Sequence, residues 1–67
     1  MKIVINGKEK EFKGESITPY DLVNLLDLEG KRYAIECNGE IIPRSNFAVV
    51  YIKNGDQLEI VGAVGGG

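Results

Sequence analysis

The sequence predicts an α+β domain: a mixed sheet of four to five strands with one main helix packed on one face. Three observations lead to this prediction. Asn-Gly pairs at 6–7 and 38–39 predict two tight hairpins, residues 16–30 have apolar side chains at helical spacing, and the chain opens and closes on strand-like apolar runs. The length of 67 residues suits one small domain, which we place at residues 1–64, followed by a flexible glycine tail at 65–67.

The first segment predicts a β-hairpin. In "KIVIN", Ile3 and Ile5 alternate with Val4, so the isoleucines are expected to face the core and Val4 to face outward. The Asn6-Gly7 pair suits a type I′ turn, in which both central residues have positive φ. The charged stretch "KEKEFK" then returns as the antiparallel second strand.

The next segment, "SITPYDLVNLLDLEG", predicts the helix. Thr18 is a good N-cap because its hydroxyl oxygen accepts a bond from a free backbone N–H, and Pro19 suits the first helical position. Gly30 is the expected stop. The apolar stripe at i, i+3 and i+4 that we expect to face the sheet is Leu22, Leu25 and Leu26.

The second half of the chain predicts two or three further strands. "YAIEC" is a strand, the Asn38-Gly39 pair predicts a second hairpin, and "EIIP" is a short strand that Pro43 confines to an edge. Ser45 is expected to cap one helical turn. The β-branched run 49–52 is expected to be extended.

The closing segment "QLEIVGAV" follows the turn Asn54-Gly55-Asp56 and predicts the last strand. With a right-handed helical crossover, this strand can lie parallel beside the first. That arrangement is the ubiquitin-like β-grasp. A ferredoxin-like fold requires a second full helix, and the region after Pro43 is too β-branched for one.

Composition argues against several classes of function. The chain has no His, so the commonest general base is missing and no catalytic residue is assigned. Cys37 stands alone, which predicts no metal site and a small apolar strand residue. The net charge of −2 without a basic stripe argues against nucleic acid. We also expect no membrane segment, a cytoplasmic location and a monomer when the chain is alone.

The last residues, Gly65, Gly66 and Gly67, raise a question of their own, because ordering glycine costs more backbone entropy than ordering any other residue. They are therefore not expected to stabilise the fold. A glycine end has no Cβ, so it can enter a narrow channel in another protein.

Several segments together resemble the thiamine-biosynthesis sulfur carrier proteins. They are "AIECNGEIIPRSNF", the pair Gly55-Asp56 before "LEIV", and the terminal "VGGG". The resemblance covers essentially the whole chain. Gly62 and Ala63 are smaller than the residues that usually precede the glycines in that family.

The resemblance implies a carrier function and a set of partners. The Gly67 carboxylate would be adenylated by an E1-like enzyme that uses ATP, and AMP would then be replaced by sulfur to give a thiocarboxylate. Gly65 and Gly66 would thread into the partner active sites. The sulfur donor would be a protein such as a cysteine desulfurase, the recipient a thiazole synthase, and no cofactor would be bound by the chain itself.

Strand parity adds a hypothesis about where partners dock. If the last strand lies beside the first, an apolar patch faces outward, and partner interfaces often combine such a patch with a polar rim. The patch would comprise Val4, Val61 and Ala63. Its rim would comprise Glu59, Lys2 and Arg44.

Three other functions remain open at this stage. The small subunit of molybdopterin synthase has the same fold and tail chemistry. A ubiquitin-like modifier would join its terminus to lysines of target proteins. A plain β-grasp interaction module would have an inert tail, and only such a module would tolerate the deletion of Gly66 and Gly67.

Overall fold

The fold is taken from a computed structural model that describes residues 1–28 and 30–62. One α-helix and seven strands are present in these ranges, with a single 3-10 turn at Arg44–Asn46. In chain order the elements are β1 (Lys2–Ile5), β2 (Lys8–Glu11), β3 (Ser16–Ile17), α1 (Pro19–Leu25), β4 (Tyr33–Cys37), β5 (Glu40–Ile41), β6 (Ile52–Lys53) and β7 (Gln57–Gly62).

Five of the strands form one mixed sheet in the order β2-β1-β7-β4-β5. β1 and β7 are parallel neighbours at its centre, and the other pairings in this sheet are antiparallel. This confirms the predicted α+β arrangement in which the last strand lies parallel beside the first. The strands β3 and β6 form a separate two-stranded ribbon that the sequence did not reveal.

Both Asn-Gly turns have the predicted backbone. The φ angles are +51° and +81° at Asn6-Gly7, and +52° and +88° at Asn38-Gly39. Positive φ at both central residues is typical of a type I′ turn, whose twist matches that of the flanking strands. The two hairpins therefore form where the sequence places them.

The helix begins as predicted and ends earlier. The Asp21 amide donates to Thr18 Oγ1 at 3.2 Å, and Pro19 is the first helical residue. The prediction that Gly30 ends the helix is wrong, because α1 ends at Leu25 and Asp27 takes the left-handed conformation with φ +59°. Bonds from Asp27 N to Asn24 O and from Leu28 N to Val23 O complete a Schellman cap.

The apolar stripe that the helix packs against the sheet also differs from the predicted one. Leu25 is 65% exposed, so its assignment to the core-facing stripe is wrong, whereas Leu22 and Val23 are buried. Pro19 is also fully buried, and it starts an i, i+3, i+4 series that Leu22 and Val23 continue. The buried stripe of the helix therefore starts at Pro19, directly after the N-cap.

The segment after Pro43 departs from two predictions. Pro43, not Ser45, precedes the 3-10 turn, and it caps that turn without a side-chain bond. A turn occupies residues 47–49, so the expected extended run is reduced to β6. The reason is the burial of Phe47, whose carbonyl accepts a bond from the Tyr20 amide at 3.0 Å and ties the turn to the helix.

The core lies between the helix and one face of the sheet. Its buried side chains are aliphatic apart from one phenylalanine, and no side chain of the described residues is a buried polar or charged one. The members are Ile3, Ile5, Leu22, Val23, Ile35, Ile42, Phe47, Ile52 and Leu58. The opposite face of the sheet has no helix on it in the described part of the chain, and there the strands present their other side chains to solvent.

Candidate functional site

The predicted tail residues Gly65, Gly66 and Gly67, together with Ala63 of the predicted patch, lie outside the described residues. The described chain ends at Gly62, the last residue of β7. Gly62 is opposite Tyr33 in the antiparallel pairing with β4, and Val61 is opposite Ala34. The end of β7 is thus held beside the start of β4, and this neighbourhood is the candidate site.

Arg44 borders this neighbourhood and has a defined position. Its Nη2 donates to the Tyr33 carbonyl at 3.2 Å, and its guanidinium carbon lies 4.5 Å from the centre of the Tyr33 ring. The Tyr33 ring in turn stacks on Phe47, with 6.3 Å between the ring centroids. A bond to the carbonyl and a cation–π contact together orient the guanidinium plane at the edge of β4.

A recess of about 310 Å³ lies at this end of the sheet. It brings together two of the predicted surface residues, Val61 and Arg44, and adds Arg32, which sequence reasoning missed. The lining residues are Arg32, Tyr33, Ala34, Arg44, Val61 and Gly62. The sequence feature that could have identified Arg32 is its position just before β4. The antiparallel pairing of β4 with β7 places the start of β4 opposite Gly62 at the end of β7.

Val4, of the predicted patch, shares a face of the sheet with Val61 but lies further along it. Val4 is opposite Gln57 in the parallel pairing, and Val61 comes four residues later on β7. At about 3.3 Å per residue, the two valines are roughly 13 Å apart along the strand. The register therefore does not bring Val4 and Val61 into one compact patch.

Of the polar members of the predicted rim, Glu59 lies two residues before Val61 on the same face of β7, and Lys2 lies on β1. Glu59 is directly opposite Glu36 on β4, and Lys2 is opposite Glu11 on β2. Two carboxylates in direct cross-strand register repel each other. The centre of the open face is accordingly acidic, whereas the recess at the end of β7 contains two arginines.

A second depression, of about 320 Å³, lies near the end of β7 on the side of the sheet that carries the helix. Leu26, Leu28 and Ile60 are among its apolar lining residues, and Arg32 and Gly62 also line it. Arg32 therefore lies between the two depressions.

Cys37 lies at the opposite end of the sheet from the recess. Its Sγ is 3.7 Å from Asp56 Oδ2, and burial, followed by the nearby Asp56 charge, raises the pKa of Cys37 to about 11. A thiol that stays protonated at neutral pH is a poor nucleophile and a poor metal ligand. This supports the prediction that Cys37 is a small packing residue.

Asp56 and Asn38 organise the turns at that end. Asp56 Oδ2 accepts from the Lys53 amide at 2.9 Å, as the turn prediction requires, and Asp56 Oδ1 accepts from Asn38 Nδ2 at 3.2 Å. Asn38 Oδ1 accepts from the Gln57 amide at 3.0 Å. Sequence reasoning identified the turns and missed this bond from a hairpin to the start of β7.

Among the described residues, no group of three or more potential metal ligands occurs. Within the same part of the chain, no helix is long and apolar enough to cross a membrane.

Comparison with models of protein families shows to which family this chain belongs. The model of the family described as "ThiS family" matches residues 3–67. The chain belongs to the ThiS family. The match covers nearly the whole chain, including the glycine tail.

Individual relatives agree with membership in the ThiS family. The sulfur carrier protein ThiS of Bacillus subtilis is 38% identical over 63 residues, which are 94% of this chain and 96% of that protein. The crystal structure of the thiamine biosynthesis protein ThiS from Geobacter metallireducens superposes with a TM-score of 0.86 at 32% identity, and covers 100% of both chains. These similarities confirm the predicted β-grasp.

One relative is much longer. A thiazole synthase of Paramagnetospirillum magneticum is 45% identical over all 67 residues, and the chain spans only 20% of its length. A ThiS-like segment is therefore one part of that larger protein.

Proposed function

We propose that this chain is a sulfur carrier for thiamine biosynthesis, and that it acts as a protein co-substrate rather than as an enzyme. The observation that carries the proposal is the ThiS family match over residues 3–67, which includes the glycine tail. The similarity to a Bacillus subtilis protein named as a sulfur carrier supports it.

The chemistry of a terminal carboxylate explains why a carrier requires a partner. At neutral pH the α-carboxyl group, with a pKa of about 3.5, is an anion and a poor electrophile. An oxygen of the Gly67 carboxylate would attack the α-phosphorus of ATP and release pyrophosphate. The outer sulfur of a donor persulfide would then displace AMP at the acyl carbon to give an acyl disulfide. A thiol reductant would cleave that disulfide, leaving the thiocarboxylate on Gly67 and a disulfide between the donor and the thiol.

The fold suits a carrier because stability and chemistry are separated. The described domain has an ordinary aliphatic core, and its one cysteine has a pKa of about 11. Nothing in this chemistry requires a reactive side chain in the folded part. Gly65 and Gly66 would let the terminus enter a channel that side chains would block.

The proposed partners follow from the chemistry and from one relative. The carboxylate requires an E1-like adenylating enzyme, and the sulfur requires a donor such as a cysteine desulfurase. The Paramagnetospirillum magneticum protein that contains a ThiS-like segment is named thiazole synthase. That relative favours thiazole synthase as the recipient over the molybdopterin pathway.

The mass of the protein isolated from its own sulfur-replete cells tests the proposal. We expect an increase equal to the exchange of one oxygen for sulfur, localised to Gly67 by fragmentation. The matched controls are a variant lacking Gly66 and Gly67, which should show no increase, and Lys8→Ala on the exposed strand β2, which should retain it. The proposal would be contradicted if the terminus were unmodified and the E1-like adenylating enzyme with ATP formed no adenylate on the chain.

A further inference from the structure

We propose that the recess formed by Arg32, Arg44 and Val61 docks on a carboxylate-bearing protein surface at the mouth of the channel that accepts the tail. This inference rests on the proposed function, because it assumes an adenylating partner. It adds which part of the folded domain that partner contacts and what chemistry the contact has. We name these three residues the arginine recess.

The arginine recess combines an apolar centre with cationic walls. Val61 is 56% exposed, and among the described residues that line the recess there are two guanidinium groups and no carboxylate. An exposed aliphatic side chain between arginines resembles the centre of many protein interfaces, where Arg is enriched. The complementary surface would be an apolar contact flanked by Asp or Glu.

Arg44 is oriented before any partner arrives. Its stacking on Tyr33 and its bond to the Tyr33 carbonyl limit the motion of a side chain that is otherwise flexible. A guanidinium has five N–H donors, so the bond through Nη2 leaves others for a bidentate carboxylate contact. An oriented arginine loses less rotamer entropy on binding than a free one.

The charge of the surrounding sheet gives the contact a direction. Glu36 and Glu59 are opposite one another on the open face, and Glu9 on β2 is opposite Val4. A carboxylate-bearing surface is repelled from this acidic face and attracted to the arginine recess. Complementary charge would thus steer the chain end toward the channel before the tail enters.

The length of the remaining chain decides between two anionic occupants. Five residues follow Gly62, and a fully extended chain of that length spans about 17 Å. With the tail extended into a narrow channel, the acyl adenylate at Gly67 is far from Arg32 and Arg44. The occupant is therefore a protein carboxylate at the channel mouth, and not a phosphate of the nucleotide.

The test is steady-state adenylation, measured as ATP–pyrophosphate exchange with the full-length chain and its adenylating enzyme. The central variant is Arg32→Glu, because Arg32 is exposed and its reversal leaves the stacking of Arg44 in place. The matched control is Lys8→Glu, which makes the same type of charge reversal on the edge strand β2. Arg44→Lys is the second variant, since it keeps the charge and loses the planar fork.

Arg32→Glu should raise the KM for the carrier by about tenfold or more, with kcat changed less than about twofold, because a repulsive contact replaces an attractive one. A tenfold change corresponds to about 1.4 kcal/mol of binding free energy. The defect should shrink toward the wild-type value at high salt. Lys8→Glu should leave KM unchanged, and Arg44→Lys should raise it. Circular dichroism should show that every variant is folded.

Three results would overturn the inference, and they differ from one another. An unchanged carrier KM for both arginine variants would remove the arginine recess as a docking surface. A raised KM for ATP with an unchanged KM for the carrier would assign the arginines to the nucleotide. No exchange with the wild-type chain would overturn the proposed function itself, and the docking partner with it.

Discussion

The two ends of β7 are held in different ways. At its start, Leu58 lies between Ile5 on β1 and Cys37 on β4 and is 1% exposed. At its end, in the described pairings, Val61 has a partner on β4 alone and is 56% exposed. One strand therefore anchors the fold at its first residues and presents a surface at its last ones.

Side chains from the turns strengthen this difference. Asn38 bonds the Gln57 amide, and Asn6 bonds both backbone groups of Ile60, with N to Oδ1 at 2.7 Å and Nδ2 to O at 3.2 Å. These amides fix β7 from both flanking hairpins up to Ile60. Substitutions near the start of β7 should therefore affect the stability of the fold, and substitutions near its end should affect recognition by a partner.

The largest expected effect is from truncating Leu58. Leu58→Ala should lower the free energy of unfolding by about 3 kcal/mol, because it opens a cavity at a position that is fully buried in the core. The same type of truncation at the exposed end, Val61→Ala, should cost less than about 0.5 kcal/mol. Urea unfolding followed by circular dichroism measures both, and equal losses would contradict the comparison.

The second prediction concerns Cys37, beside Leu58. With a pKa of about 11 against an ordinary value of 9.0, the thiol remains protonated until the pH approaches 11. The thiolate population near neutral pH falls about 100-fold and its intrinsic nucleophilicity rises, so alkylation by iodoacetamide should be about tenfold slower than for an ordinary thiol.

The unfolded protein is the matched control for this measurement. In concentrated guanidinium chloride the burial and the Asp56 charge no longer act on the thiol, so the alkylation rate should return to that of a free cysteine. In the folded protein the rate should continue to rise between pH 9 and pH 11. A folded rate that levels off near pH 9 would show that the pKa is not raised.

A smaller effect is expected from Asn38→Gly. Glycine adopts the φ of +52° at this position without strain, so the variant keeps the turn and removes the side-chain bonds to Gln57, Asp56 and the Cys37 sulfur. Unfolding should become easier by about 1 kcal/mol, the usual net contribution of such bonds. The comparison variant Gly39→Ala keeps these bonds and strains the turn; if Asn38→Gly were neutral, the amide would not hold β7.

The sequence predicted those parts of the fold that depend on a few neighbouring residues. Both Asn-Gly turns, the Thr18 cap and the strand β4 are local features, and each appears where expected. The stop at Gly30 failed because Leu28 packs against the core, so the chain leaves the helix earlier and Asp27 takes the left-handed conformation.

The candidate site shows the same limit. Strand parity correctly indicates which residues share a face, but it contains no distance, so it grouped Val4 with Val61 although the register separates them. Arg32 joins the site only through the pairing of β4 with β7, which connects residues distant in sequence. Such contacts depend on the register of the whole sheet.

The smallest effect is expected at Gly62, where the described chain ends. A Cβ built on Gly62 would lie 3.6 Å from the Arg32 carbonyl oxygen, which is an ordinary van der Waals contact, and its φ lies outside the positive region that favours glycine. Gly62→Ala should therefore change the unfolding free energy by less than about 0.5 kcal/mol.

Gly55→Ala is the informative partner variant, because φ at Gly55 is +90° and an alanine there is strained by about 1–2 kcal/mol. If Gly62→Ala destabilised the fold as much as Gly55→Ala, the end of β7 would be as constrained as its preceding turn, and the contrast between the two ends would fail. If only Gly55→Ala destabilises the fold, the stability of the domain does not limit the size of residue 62. Its size then depends on the partner that receives the tail.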